Sequence, residues 1–284
     1  MAGAAVTAEG LGMKGSRGTV FEGVSLDAPA GSLICVEGPS GAGRTCLLLA
    51  LTGRMRTTAG HAVVDGHPLP KRMAAVRRVA ALGPVPGVTD LEPSLTVVEH
   101  LRERALLRSY FSGWRREPRA QRLARVDAAL ETAGLDLDAL VKGPRTAVRD
   151  LERLESLRLG VALALLDRPR LLAVDDLDLK LSDAERDAAW TLLRDITAQG
   201  VTVLAVSSEP PADTAGAQVR TVHLGPEGTS AGTDASTEAV PVTADPADTT
   251  DPADTSTTST TSTTSTTSTN MEGDEDALAE AGRA

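Results

Sequence analysis

Apolar and polar positions along the first two hundred residues follow two rhythms. One is short and strand-like. Thr19–Leu26 mixes apolar and polar positions as a half-buried strand does, and the first ~35 residues alternate in the same manner. Ser32–Glu37, Gly60–Asp65, Val79–Leu82, Arg170–Val174 and Val201–Val206 are brief, nearly continuous apolar runs. Runs of this kind suit strands buried on both faces, as in a parallel sheet. The other rhythm is helical and holds from Leu95 to Gly134. One helix opens at Thr96–Leu101, and a second runs over about Glu117–Ala133. Further helices are expected over Arg44–Arg54 and Leu151–Leu166. Ser182-Asp183-Ala184-Glu185 is a capping box, and its helix should run to about Gln199, where Gly200 stops it. The order predicts an α/β domain with a helical subdomain inserted at about 95–165. Arg119, Arg122 and Arg125 share one face of their helix, as a solvated surface or a docking surface.

Composition changes near Gly225. Residues 225–284 hold twelve of the 39 acids and one of the 29 bases, a net charge of −11 against −10 for the whole chain. Residues 1–224 therefore sit near +1, so the acidic balance belongs to the tail and the folded part gives no bulk argument for nucleic-acid binding. The tail carries a near repeat, Asp245–Thr250 and then Asp251–Thr255, followed by a Ser/Thr run from Ser256 to Thr269. It lacks the apolar side chains that offset ordering entropy, so disorder is expected over 225–284. Cys35 and Cys46 form neither a disulfide framework nor a zinc pattern and read as reduced, structural thiols. Met1–Gly10 shows no secretory pattern, and no run of ~18 apolar residues suggests a membrane span.

The chemistry centres on Gly38-Pro-Ser-Gly-Ala-Gly-Arg-Thr45. A phosphate-binding P-loop reads Gly-x-x-x-x-Gly-Lys-Ser/Thr between a strand and a helix. This chain has the strand, both glycines, Thr45 and the helix, with Arg44 in the lysine's place. Backbone N–H groups of Gly41–Thr45 at a helix N-terminus can cradle phosphate whatever side chain stands at 44. Downstream, Leu171–Val174 is an apolar strand ending in Asp175-Asp176, the kind of acid that holds magnesium in P-loop enzymes. A solvated strand end is the plainer reading of those acids. His61, His67, His100 and His223 have no ligand spacing and read as surface or structural residues.

Together these segments resemble the nucleotide-binding subunit of ABC transporters. The resemblance spans about residues 1–224 and includes Phe21–Leu26, the P-loop, Leu95–Leu101 and Gly200–Val206. Leu151, Arg158, Ala162, Ala164, Leu165 and Pro169 fall in the family's register before the acidic strand. It implies a P-loop NTPase fold of the ABC ATPase type, with ATP and Mg²⁺ as ligands. Gly38, Ser40, Gly41, Ala42, Gly43, Arg44, Thr45 and Cys46 would be the nucleotide-binding positions. Thr45 and Asp175 would serve Mg²⁺, and Asp176 would stand at the general base. The implied partners are a transmembrane permease-like subunit and a second ATP-binding subunit, identical or related. The implied location is the cytoplasmic face of the cell membrane, reached through that partner.

The departures fall on the working parts. Arginine is not a conservative replacement for the P-loop lysine. Asp176 replaces a glutamate, and Ser208 stands where the family has its switch histidine. Gly83–Glu92 lacks the lid-loop glutamine. The signature reads Leu151-Glu152-Arg153-Leu154-Glu155, bringing bulk and acids to a place that should approach a polyphosphate. No aromatic platform for adenine lies in Met13–Gly18; Phe21 is nearby but on a strand position. Two functions are therefore expected: an ATP-binding transporter subunit with weak or absent hydrolysis, or a catalytically inactive, nucleotide-responsive or structural module on a membrane protein.

Overall fold

The computed structural model describes residues 3–16, 18–111, 117–208, 219–225 and 231–232. Almost all of the expected tail, 225–284, lies outside them. The two-residue strand Ala231–Gly232 falls within that stretch and pairs with Thr221–Val222.

The strands form two sheets. β1 (Val6–Gly15), β2 (Gly18–Ala28), β4 (Ala59–Val64) and β5 (His67–Leu69) make an antiparallel sheet in the order β2-β1-β4-β5. The second sheet has the order β10-β9-β3-β8-β7-β6. It contains β3 (Leu33–Glu37), β6 (Ala80–Leu82), β7 (Leu171–Val174), β8 (Thr202–Val206), β9 (Val219–His223) and β10 (Ala231–Gly232). All its neighbours pair in parallel except β9 with β10. Six α-helices, α1 (Arg44–Leu51), α2 (Met73–Val79), α3 (Val97–Phe111), α4 (Arg119–Ala133), α5 (Arg153–Leu165) and α6 (Asp183–Ala198), and two short 3-10 helices, Gly143–Arg145 and Val148–Asp150, complete the described fold.

The apolar runs are continuous because the parallel strands are covered on both faces. Leu33 and Cys35, Leu172 and Val174, and Val203 and Ala205 pack with α5 and α6. Their neighbours Ile34 and Val36, Leu171 and Ala173, and Leu204 and Val206 pack with α1 and the antiparallel sheet. Strand alternation thus assigns each residue to one of two cores. Asp175 continues the series of Leu171 and Ala173, which puts it on the α1 side.

Several boundaries differ from the sequence reading. α1 ends at Leu51 rather than Arg54: Thr52 is its C-cap, and Gly53 has φ of +71°. β5 and α2 were not foreseen; they are three and seven residues long, too short for a periodic signal. α3 is started by Thr96, whose N–H donates to the Glu99 carboxylate at 2.8 Å. This is a capping box legible in Thr96-Val97-Val98-Glu99. The Ser182 box is present as expected, with Ser182 N–H donating to Glu185 at 2.8 Å and Glu185 N–H donating to Ser182 Oγ at 3.4 Å. The arginine face of α4 needs correction. Arg119 is exposed, but Arg125 is buried and donates to Glu117 at 2.6 Å. It is a core-edge ion pair, outside any solvated or docking face.

Leu159 on α5 is fully buried within the helical core. Leu159→Ala should lower unfolding free energy by about 2–5 kcal/mol. Val141→Ala, at a side chain 82% exposed, should change it by less than about 0.5 kcal/mol. Urea denaturation measures both.

Candidate functional site

The loop after β3 is shaped by its glycines. Gly38, Gly41 and Gly43 have φ of +146°, +83° and +86°. A Cβ on Gly38 would collide with the Leu224 carbonyl oxygen, and one on Gly43 would meet the Val20 carbonyl oxygen at 2.7 Å. Only glycine satisfies both the conformation and the close approach. The turn closes with Ala42 N–H donating to Pro39 at 3.1 Å, and α1 follows with Gly43 as its N-cap. No side chain caps that N-terminus. Its leading N–H groups are therefore left for an anion. Pro39, Ser40 and Gly41 are exposed, and Ala42 to Cys46 are half-buried.

The loop sits at the carboxyl ends of three neighbouring parallel strands, β3, β8 and β7. Thr45 Oγ1 donates to Asp175 Oδ2 at 2.6 Å. Asp175 N–H is held by the Pro84 carbonyl at 2.8 Å, and its Oδ1 accepts from Asp176 N–H at 3.0 Å. Asp176 has φ of +46°, a left-handed conformation uncommon for a residue other than glycine. Burial pushes the Asp175 carboxyl above the ordinary carboxylate range; the Thr45 hydroxyl pulls it back and the neighbouring Asp176 charge adds to the rise. Burial also raises the Cys46 thiol, with the Asp175 charge helping. Cys46 is a free thiol beside the site, and Cys35 is free and buried.

Arg44 reaches across the strand ends. Its Nη1 donates to the Ser207 carbonyl at 3.0 Å and to Ser208 Oγ at 3.3 Å. Its Nη2 lies 3.8 Å from Asp176 Oδ1, with the two side chains 12% and 34% exposed. Ser208 N–H in turn donates to Asp178 at 3.0 Å. Arg44, Asp176 and Ser208 are thus brought to one corner. The Ser207 carbonyl was missed, because a backbone acceptor has no signature in the sequence.

The hydroxyl and carboxylate of Thr45 and Asp175 suit a hard cation such as Mg²⁺, which takes one or two protein oxygens and completes its shell with phosphate and water. No cluster of three or more His, Cys, Asp or Glu occurs among the described residues. Phosphate oxygens would have to supply much of the shell.

Other expected residues lie elsewhere or act differently. Phe21 is 5% exposed within the core between the sheets, so its ring is not available to stack on a base. The loop from Gly83 to Glu92 turns on Thr89, whose hydroxyl donates to the Gly83 carbonyl at 2.6 Å. The signature acids serve the start of α5: Glu152 is its N-cap, and the Glu155 carboxylate accepts from Glu152 N–H at 2.8 Å. Arg153 Nε donates to the Leu179 carbonyl at 3.2 Å. Helix capping and a loop contact explain this segment's acids and arginine within the chain.

A family model described as ABC transporter matches residues 21–177. The arabinose import ATP-binding protein AraG 1 of Burkholderia lata is 30% identical over 187 residues, covering 66% of this chain and 35% of that protein. The Nod factor export ATP-binding protein I of Cupriavidus metallidurans is 32% identical over 185 residues, covering 65% of this chain and 56% of its own length. The chain therefore spans little more than a third of the first relative and just over half of the second. Among solved structures, a dimeric post-hydrolysis ATP-binding cassette bound to ADP and Pi has a TM-score of 0.60 at 20% identity, covering 77% of this chain and 94% of that one. A cbiO1 subunit of the cbiONQ ABC transporter complex from Clostridium perfringens has a TM-score of 0.63 at 17% identity, covering 77% and 84%. These likenesses carry the fold.

The raised Asp175 gives a signed pH effect. A carboxyl raised on folding costs stability when ionised, and the cost grows as pH climbs through the ordinary carboxylate range. Asp175→Asn also loses one acceptor, an effect that does not change with pH. The variant's melting temperature relative to wild type should therefore rise between about pH 4 and about pH 7. Paired thermal melts at the two pH values measure it.

Proposed function

From membership in the ABC transporter family of ATP-binding domains, to which this chain belongs, we propose that it is the ATP-binding subunit of a membrane transport complex with weak or absent hydrolysis. The observation that carries the binding half is the Thr45–Asp175 contact beneath an uncapped helix N-terminus. Loop amides and the α1 N-terminus receive phosphates, and Gly38, Ser40, Gly41, Ala42, Gly43, Thr45 and Cys46 line the receiving turn. Thr45 and Asp175 would hold Mg²⁺, which when bound offsets phosphate charge.

The weak-turnover half rests on Arg44 and Asp176. By resemblance to the family Asp176 would stand at the general base, yet it faces the Arg44 guanidinium at 3.8 Å. It is also one methylene shorter than the family's glutamate. Misplacing a catalytic group by about 1 Å can cost roughly a hundredfold in rate. Ser208 carries no imidazole to contact a terminal phosphate. The inactive-module reading gains its support from the same corner, where Arg44 is already bonded to the Ser207 carbonyl.

No described helix is long and apolar enough to cross a membrane. The proposed place is the cytoplasmic face of a membrane, docked on a permease-like subunit and dimerised with an identical or related ATP-binding subunit. Residues 1–224 would form the nucleotide-binding domain, with 95–165 as its helical subdomain and 225–284 as a separate C-terminal tail.

Magnesium nucleotide at about one hundred times its Kd should stabilise the protein by about 2.7 kcal/mol, visible as an upward shift in melting temperature. Phosphate release should be at background or slow, and any genuine release should vanish in Asp176→Asn. Rapid release that survives Asp176→Asn in contaminant-free protein would contradict the assignment. Asp176→Glu alone should restore little, because Arg44 and Ser208 remain.

A further inference from the structure

Three of the chain's departures from its family pattern meet in one place. The P-loop cation is longer than the lysine it replaces. The residues opposite, Asp176 and Ser208, are shorter than the glutamate and histidine they replace. The size changes are complementary, and the Arg44 guanidinium fills the space between the shortened side chains. Two of its N–H groups are committed, to the Ser207 carbonyl at 3.0 Å and to Ser208 Oγ at 3.3 Å. Its charge faces Asp176 at 3.8 Å, and its side chain is only 12% exposed.

Resting on the phosphate-binding reading above, we infer that this bridging arginine closes the terminal-phosphate end of the site and makes it selective for a nucleoside diphosphate over a triphosphate. Two phosphates need only what the loop provides: backbone amides, the α1 N-terminus and the Thr45 hydroxyl. A third phosphate would extend past the loop toward the carboxyl ends of β7 and β8, where the guanidinium lies between Asp176 and Ser207–Ser208. To accept it, Arg44 must give up its hydrogen bonds to the Ser207 carbonyl and to Ser208 Oγ. If Arg44 stays, the extra anionic charge meets a cation already shared with Asp176, close to the second carboxylate of Asp175. A lysine, with a point charge on a flexible stem, carries no such fork to hold both strand ends at once. Ser208 and Asp176 are positioning residues in this arrangement, acting through Arg44.

The test is isothermal titration of the full chain with ADP and with a non-hydrolysable ATP analogue, both with magnesium. ADP should bind roughly tenfold more tightly, the worth of one lost hydrogen bond to a charged group. Arg44→Lys should erase or invert that ratio, and Ser208→Ala should reduce it while ADP affinity stays near wild type. An analogue that binds wild type as tightly as ADP overturns the inference and leaves the phosphate-binding reading standing. A ratio unchanged in Arg44→Lys, in protein that melts cooperatively, overturns it too. Absence of heat from either nucleotide overturns both readings together. The wild-type ratio needs no variant to fold.

Discussion

The 2.6 Å contact between Thr45 and Asp175 holds the site together. It joins the first turn of α1 to the end of β7, segments far apart in the chain. Its geometry follows from strand alternation: Leu171, Ala173 and Asp175 fall on the face toward α1, while Leu172 and Val174 face the helical layer. Moving the register by one residue would turn the carboxylate toward apolar helices. The cost of placing an acid there is visible in the upward push that burial gives Asp175. Thr45 offsets part of it, and a bound cation would offset more.

Around that contact the backbone and the side chains have different fates. The glycine turn keeps its shape because Leu224 and Val20 leave room for nothing larger. Phosphate recognition by amides depends on that shape and not on the identity of residue 44. The chemistry of cleavage depends on side chains, and those depart from the family pattern at Arg44, Asp176 and Ser208. Arg44 ties the P-loop to the ends of β7 and β8 within the chain itself. The altered signature likewise turns inward, its acids capping α5 and Arg153 bonding the Leu179 carbonyl.

Much of this was legible in the sequence, for identifiable reasons. Strands buried on both faces write unbroken apolar runs, so β3, β7 and β8 were read within a residue or two. The glycine loop was legible because positive φ leaves few alternatives to glycine. β5 and α2 were too short to show a period. Arg125 was misread because spacing places a residue on a face but does not say what covers it; Glu117 does. Phe21 was a candidate by proximity alone, and its burial removes it. Glu152 and Glu155 were read by charge as repelling phosphate, when their spacing also fits a helix cap. The convergence of Arg44, Asp176 and Ser208 could be suspected position by position, but their mutual contact needed the fold.

Hydrogen exchange at the amides of Gly41–Cys46, with and without magnesium nucleotide, tests the central claim most directly. If these N–H groups grip phosphate, their exchange should slow on nucleotide addition, together with that of their neighbours at the start of α1. Unchanged exchange across this turn at saturating nucleotide would contradict the account.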